Sequence, residues 1–474
     1  MSAPLWNARD AAMATGGTLS DTRDWQVTGI SIDSRSAQPG DLFVALAGPT
    51  HDGHAFVADA MARGAVAALV HAAVQAPGPL LRVNDTLEGL RRLGTAARAR
   101  MTGKVVGVTG SVGKTGTKEA LRAVFARQGR THASVASFNN HWGVPLTLAR
   151  MPADTEFGIF ELGMNHAGEL GPLSRLVRPH AAIITTVEPV HLEFFTSVSE
   201  IADAKSEIFE GLEGAKVAVL NRDNLHFERI AAAAHAVGGH VVSFGQNDRA
   251  DARLIRAALK NDCSCVSADI CGQPMAFKIG IPGRHWSANS LAVLATVAAL
   301  DGDLGLAGLA LATLEPPKGR GNRTRVARAD GVFEVIDESY NANPAAMRAA
   351  IALLGDASPG PRGRRLAVLG DMRELGAEGA SFHADLDAPL RDAKIDLVFC
   401  AGPLMKSLAD RLPPEILGAH TETSDLLVPF VVEAIRADDV VMVKGSLGSR
   451  MGPIVETLKS LGTPEPRRAN GAGA

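Results

Sequence analysis

Aromatic residues are scarce in this 474-residue chain: Phe, Trp and Tyr make up 4% of it, with a single tyrosine, Tyr340. Its cores must be filled by Ala, Val, Leu and Ile. Cysteine is equally sparse. Cys263, Cys265, Cys271 and Cys400 form no Cys-x-x-Cys pair, which excludes a paired zinc knuckle and fits a reducing compartment. No apolar run reaches the ~20 residues of a membrane span. The longest candidate, Leu291–Leu300, is far too short. Arg9 and Asp10 interrupt the start of the chain where a signal peptide would carry its apolar core, so a cytoplasmic location is expected. There is no basic run and no interleaving of bases with aromatics. The net charge of −3 is spread along the chain, so nucleic acid is not an expected partner.

What is present reads as an ordinary globular protein, 46% hydrophobic and 21% charged. The length calls for two to four domains. Short apolar runs alternate with helical patterns from residue 104 onward: Phe157–Leu162, Ala181–Thr186 and Lys216–Leu220 as strands, with helices over 114–127, 199–212 and 286–299. That rhythm predicts an α/β fold with a mainly parallel, doubly wound sheet. Pro316-Pro317-Lys318-Gly319-Arg320-Gly321 breaks the pattern, and the alternation restarts after it. Before residue 100 a smaller α/β unit is expected. The bounds are 1–100, 101–322 and 323–462, followed by a Pro/Arg/Gly/Ala-rich tail, 463–474, expected to be disordered.

The strongest local signal is Lys104–Lys118. A β-branched strand (Val105, Val106, Val108) leads into Thr109-Gly110-Ser111-Val112-Gly113-Lys114-Thr115, and a helix follows. Glycines let backbone N–H groups approach phosphate oxygens, and the helix N-terminus adds partial positive charge. Lys114 neutralises outer phosphates, and the Thr115 hydroxyl suits Mg²⁺. The first glycine of the general G-x-x-x-x-G-K-[ST] pattern is replaced by Val108.

In open α/β sheets ligands bind beyond the carboxyl ends of the strands. Glu161 ends one run and His191 follows another, so both can share a crevice with Thr115 as ligands for one or two Mg²⁺ ions. Glu161 equally suits a cap or ion pair, and His191 a surface hydrogen bond. Lys205 stands inside the apolar stripe Ile201, Ile208, Phe209 and Leu212 with no acid at i±3 or i±4. It either snorkels outward or points inward with a lowered pKa. Asn289, near the start of a helix, is either a cap or a nucleotide contact. Arg320 and Arg323 in the linker can clamp phosphate. Asp337-Glu338-Ser339-Tyr340-Asn341-Ala342-Asn343-Pro344 follows a strand and precedes a helix, which also suits an N-cap.

Taken in order, these stretches resemble the Mur ligase family over essentially the whole chain. The resemblance is carried by Thr109–Glu119, Phe138–Thr147 (Phe-Asn-Asn-His-Trp-Gly-Val-Pro-Leu-Thr), Glu161–Asn165 and His191–Glu193. It continues through Ala204–Phe209, Asp337–Pro344 and Gly370–Gly376, and in the first unit through Asp33-Ser34-Arg35, Gly40–Leu46 and Asp52–His54. The resemblance implies three domains: an N-terminal UDP-binding domain, a central P-loop ATPase and a C-terminal Rossmann-like domain. Among the family's branches it points to the members that join D-alanyl-D-alanine to UDP-N-acetylmuramoyl-tripeptide at the expense of ATP, with Mg²⁺. A monomer is implied.

By motif position, Thr109–Thr115, Asn289, Arg320 or Arg323, and Asp337 would contact ATP. Thr115 and Glu161 would bind one Mg²⁺. His191 and Lys205, the latter as a carbamate, would bind a second. Ser34, Arg35, Asn139, Asn140, Tyr340, Asn341 and Asn343 would contact the other substrates. Two local departures stand out, Val187-Glu188-Pro189-Val190 and Glu193-Phe194-Phe195-Thr196 around the histidine. An Asp-Asn-Pro-Arg motif, which marks diaminopimelate selection in the branch adding that residue or lysine, does not occur in the C-terminal half. Nor does the chain contain the Asn-Lys-x-Asp motif of a guanine-nucleotide switch.

Overall fold

The computed structural model describes residues 4–49, 51–135 and 137–465. They form three main sheets in chain order, together with a short antiparallel pair, Trp6–Asn7 with Gln26–Val27.

The first sheet has five strands in the order Thr18–Leu19, Leu80–Arg82, Ala67–Val70, Asp41–Val44 and Gly29–Ser31. All neighbours but the first pair are parallel. The helix Thr86–Arg100 leaves this sheet, capped by the Asp85 carboxylate, which accepts from the Glu88 N–H at 2.8 Å. Its Leu90, Leu93 and Ala97 enter one core with Leu146 and Ala149 of the next unit. The first unit is thereby fastened to the second through apolar packing.

The central sheet has nine strands. Lys104–Thr109 lies between Ala181–Ile184 and Phe157–Glu161, all parallel. The parallel run continues through Val217–Asn221 and His240–Gly245, and ends in antiparallel strands between Ala252 and Ile279. Alternate residues feed opposite faces. Val106 and Val108 pack under the helices Lys114–Phe125 and Arg284–Ala299, while Val105 packs on the other side with Ile201 and Ile208. Strands buried on both faces explain the unbroken β-branched runs. The predicted helix over 199–212 is α-helical only over Val198–Ser206 and tightens to a 3₁₀ turn over Glu207–Gly211. There the Ile208 carbonyl accepts from the Ser174 hydroxyl rather than continuing an α-helix.

The third sheet has seven strands, ordered Leu417–Thr421, Leu397–Ala401, Arg365–Gly370, Val440–Lys444, Gly331–Glu338, Asn322–Arg328 and Thr463–Glu465. The last two pairings are antiparallel. Thr463–Glu465 corrects the expectation of a disordered tail from 463. The outer side of Asn322–Arg328 offers unpaired backbone groups, and this short strand satisfies them, with Glu465 bonded to Arg325 at 3.0 Å. The rest of the expected tail, 466–474, lies outside the described residues.

Candidate active site

Three parallel strands end side by side, and their carboxyl ends supply the site. Thr109 leads into the phosphate loop, Ile184 into Thr185 and Thr186, and Glu161 closes the third strand. The loop conformation is built in. Gly110 has φ of 146°, and a Cβ there would stand 1.9 Å from Thr185 Oγ1. Thr185 Oγ1 donates to the Val112 carbonyl at 2.5 Å, and the Ser111 N–H donates to Thr186 O at 2.9 Å. Glu188, in the segment that departs from the family, holds the Ser111 hydroxyl through its own carbonyl and N–H, at 3.1 and 2.9 Å. The sequence carried no signal for these braces, because each joins the loop to a segment more than 70 residues away.

Gly113 caps the helix Lys114–Phe125 in a left-handed conformation, φ 86°. A Cβ there would approach the Asn289 amide within 3.2 Å, so Asn289 sits directly against the loop. Asn289 is not the first-turn cap of its helix, since Gly283 occupies that position. The Lys114 ammonium donates to the Gly110 carbonyl at 2.6 Å. Burial lowers its pKa, the Glu161 carboxylate works against that, and Arg320 lowers it further. Lys205 points inward, as one of the two sequence-based alternatives required. It is 2% exposed, and burial holds its pKa well below 10.5, with the Lys114 charge adding to the effect.

Glu161 Oε1 accepts from Asn139 Nδ2 at 2.8 Å, whereas Oε2 is buried without a partner. A buried bare carboxylate oxygen is costly unless something positive meets it. With the Thr115 hydroxyl lining the same cleft, this donor set fits Mg²⁺, which takes few protein oxygens and completes its shell with phosphate and water. Among the described residues no three His, Cys, Asp or Glu side chains group into an all-protein metal cage.

The cleft measures about 620 Å³ and is lined by both the central and the third unit. The central unit contributes Lys114, Thr115, Asn139, Glu161, His191 and Asn289. From beyond the linker come Arg320, Tyr340, Asn341 and Asn343. A larger hollow of about 1120 Å³ shares Thr115, Arg320 and Tyr340 with the cleft and is lined also by Asp337. Asp337 accepts from the Ser339 hydroxyl at 2.6 Å, and Asn343 also caps the helix Pro344–Gly355 through the Ala346 N–H at 2.8 Å.

The two linker arginines are placed differently. Arg320 lies over the Tyr340 ring, 4.5 Å from its centroid, and faces both hollows. Arg323 lines neither; its guanidinium is turned to Glu334 at 3.5 Å. Asn140 is likewise absent from the lining and accepts from the Gly143 N–H at 2.9 Å, at the start of the helix Gly143–Ala149. Ser34 and Arg35 stand in the first unit, away from both hollows. Arg35 is exposed and paired with Asp33 at 2.7 Å. Lys205 does not line the cleft either.

His191 has φ of 56°, and its Nδ1 lies 2.6 Å from Glu374 Oε2, in the third unit. The hydrogen bond to His191 lowers the Glu374 pKa. Glu374 escaped the sequence-based reading as a site residue because 183 positions separate it from its partner. His285, also missed as a site residue, lines the cleft at the start of the helix Arg284–Ala299. It is solvent-exposed there, and Glu338, whose charge acts on it, is itself paired with Lys444 at 3.2 Å.

Comparison with known proteins agrees with this architecture. Three family descriptions match in order: "Mur ligase family, catalytic domain" over residues 26–101, "Mur ligase middle domain" over 108–297, and "Mur ligase, glutamate ligase domain" over 322–447. UDP-N-acetylmuramoyl-tripeptide--D-alanyl-D-alanine ligase of Bacillus subtilis (strain 168) is 33% identical over 464 residues, covering 95% of this chain and 97% of its own. The enzyme of the same name from Rickettsia prowazekii (strain Madrid E) is 31% identical over 455 residues, covering 95% and 99%. The crystal structure of MurF from Acinetobacter baumannii superposes with a TM-score of 0.84 at 29% identity, covering 97% of this chain and 99% of that one. Sheet order, phosphate loop and end-to-end similarity converge, and the chain belongs to the Mur ligase family.

Proposed function

We propose that this protein is an ATP-dependent ligase that joins D-alanyl-D-alanine to UDP-N-acetylmuramoyl-tripeptide, forming the UDP-linked pentapeptide of peptidoglycan synthesis. The observation that carries the reading is the buried charge at the phosphate loop. Lys114 is half-buried within the field of the Glu161 carboxylate, one oxygen of which has no partner, and its charge also reaches the buried Lys205. Such a site suits anions brought against one another, here a triphosphate and a carboxylate.

The chemistry needs this arrangement. A carboxylate is a poor electrophile until phosphorylated. The tripeptide's terminal carboxylate attacks the γ-phosphorus and ADP leaves. The dipeptide amine then adds to the acyl phosphate, and the tetrahedral intermediate expels phosphate. Lys114 neutralises the outer phosphates, and the loop N–H groups with the helix N-terminus hold the rest. Asn289 and Asp337 are assigned to the nucleoside end, Arg320 to phosphate. Ser34 and Arg35 are assigned to the UDP moiety, and Asn139, Tyr340, Asn341 and Asn343 to the peptide ends meeting in the cleft. Closure by the third unit excludes the water that would hydrolyse the acyl phosphate. Thr115 and Glu161 would hold one Mg²⁺, and His191 with a carbamylated Lys205 a second. Bound there, Mg²⁺ supplies charge neutralisation between the two anions. The enzyme is assigned to the cytoplasm, acting as a monomer.

Phosphate release tests the reading. The protein is incubated with ATP and UDP-N-acetylmuramoyl-tripeptide, with D-alanyl-D-alanine, diaminopimelate or lysine as the amine. Release should require the tripeptide substrate and D-alanyl-D-alanine together. Release that ignores the dipeptide overturns the assignment.

A further inference from the structure

The contact between His191 and Glu374 joins two units of the chain at the edge of the cleft, and both residues line it. Neither partner is a casual surface group. His191 (φ 56°) and Glu374 (φ 63°) both adopt left-handed backbone, which non-glycine residues occupy at a cost. Their loops also touch: a Cβ on Gly376 would lie 3.5 Å from Leu192 and Glu193. Glu374 is held from behind. The Arg373 N–H donates to Ser446 Oγ at 3.0 Å, its guanidinium donates to Gly448 O at 2.9 Å, and the Met372 N–H donates to His383 Nε2 at 2.9 Å. The glutamate is therefore presented by a braced loop of the third unit.

A carboxylate only accepts. The 2.6 Å contact puts the proton on His191 Nδ1 and leaves the Nε2 lone pair unprotonated in the neutral ring. A carboxylate on the far nitrogen is the usual way a ligating histidine is held in tautomer and direction. We infer that Glu374 is a positioning residue: it fixes His191 so that Nε2 serves as the metal donor, and it does so only when the third unit lies against the central one. The second metal position is thus completed across the domain seam. This rests on the assignment of His191 as a ligand under the function proposed above.

The test counts Mn²⁺ bound by the full-length protein with a non-hydrolysable ATP analogue, by electron paramagnetic resonance of the free ion. The unmodified protein should hold two ions per chain, and His191→Ala should hold one. Glu374→Ala should weaken that same ion by about 10–100-fold, leave the other unchanged, and leave the thermal midpoint unchanged. Glu374→Gln keeps an acceptor oxygen and should recover part of the loss. In turnover assays Glu374→Ala should raise the Mg²⁺ concentration needed for half-maximal rate while the nucleotide KM stays put. If Glu374→Ala leaves both ions untouched while His191→Ala removes one, the positioning role is overturned and the metal assignment stands. Equal weakening of both ions also overturns it. If His191→Ala still holds two ions, the metal assignment itself fails and the inference falls with it.

Discussion

Lys205 is buried within the field of Lys114, a half-buried cation, and no described residue bonds or ion-pairs with the Lys205 ammonium. An unpaired buried cation is a cost that function, rather than folding, explains.

Lys205→Met should therefore abolish turnover while raising thermal stability in buffer free of carbon dioxide. The midpoint should rise by roughly 2–4 °C for each kcal/mol relieved. The lysine's pKa is lower in the folded chain, so the unfolded chain binds more protons as pH approaches 10.5, and stability of the unmodified protein rises with pH there. The advantage of Met should shrink accordingly. Adding bicarbonate should stabilise the lysine protein and leave the Met variant unmoved, since only an amine forms a carbamate. A scanning-calorimetry series checks all three.

Gly110→Ala should fail at both folding and binding. Its φ of 146° and the Thr185 hydroxyl at 1.9 Å leave no room for a Cβ. The strain should cost about 1–3 kcal/mol in urea unfolding, with nucleotide binding lost. Thr185→Ser keeps the hydroxyl that braces Val112 and should bind nucleotide normally.

The arginines should separate cleanly. Arg320→Ala should raise the nucleotide KM by about 10–100-fold, the equivalent of one hydrogen bond to a charged group. Arg323→Ala should leave KM unchanged and lower stability instead, by about 1–3 kcal/mol, because Glu334 loses its partner and the Arg323 stem leaves the interior. Steady-state kinetics and urea melts on both variants decide this.

Acid should destabilise the protein before its carboxylates are protonated. Burial lowers the pKa of His132, His180 and His383 below 6.5. Below 6.5 the unfolded chain takes up protons that the folded chain refuses, so stability falls as pH falls, and these histidines add no pH dependence above that point. The drop should soften in His180→Gln, where the Gln amide oxygen can replace His180 Nδ1 as acceptor for the Val105 N–H, a bond of 3.0 Å. His383 is less suited to that comparison, because both its ring nitrogens are bonded, one accepting from Met372 N–H and the other to the Gly379 carbonyl.

Much of the scaffold was legible because its causes are local. Val105, Val106 and Val108 pack on two faces, and the strand could be read from their branching alone. The phosphate loop was legible for the same reason, since positive φ at Gly110 and Gly113 is a property of those residues. The apolar stripe around Lys205 left two orientations, outward and inward, and only the fold shows the residue buried. What could not be read concerns partners. Asn140 and Arg323 have side chains that suit ligands, and only the fold shows their bonds to Gly143 and Glu334. Glu374 and the brace at Thr185 were invisible because they act across chain separations that no spacing rule reaches. Thr463–Glu465 lacks any strand pattern of its own and exists because an edge was open.

The order of strands in the third sheet has a consequence for synthesis on the ribosome. The hairpin of Asn322–Arg328 and Gly331–Glu338 finds its parallel neighbour only in Val440–Lys444, about a hundred residues later. At 5–20 residues per second, the nascent hairpin waits roughly 5–20 s with both flanks unpaired, since Thr463–Glu465 comes later still. Over that interval the first and central units, whose strands are complete by Ile279, can already be folded. The nucleotide cleft therefore has a floor well before it has a roof, and ATP is available to a half-made chain before the other substrates can be enclosed.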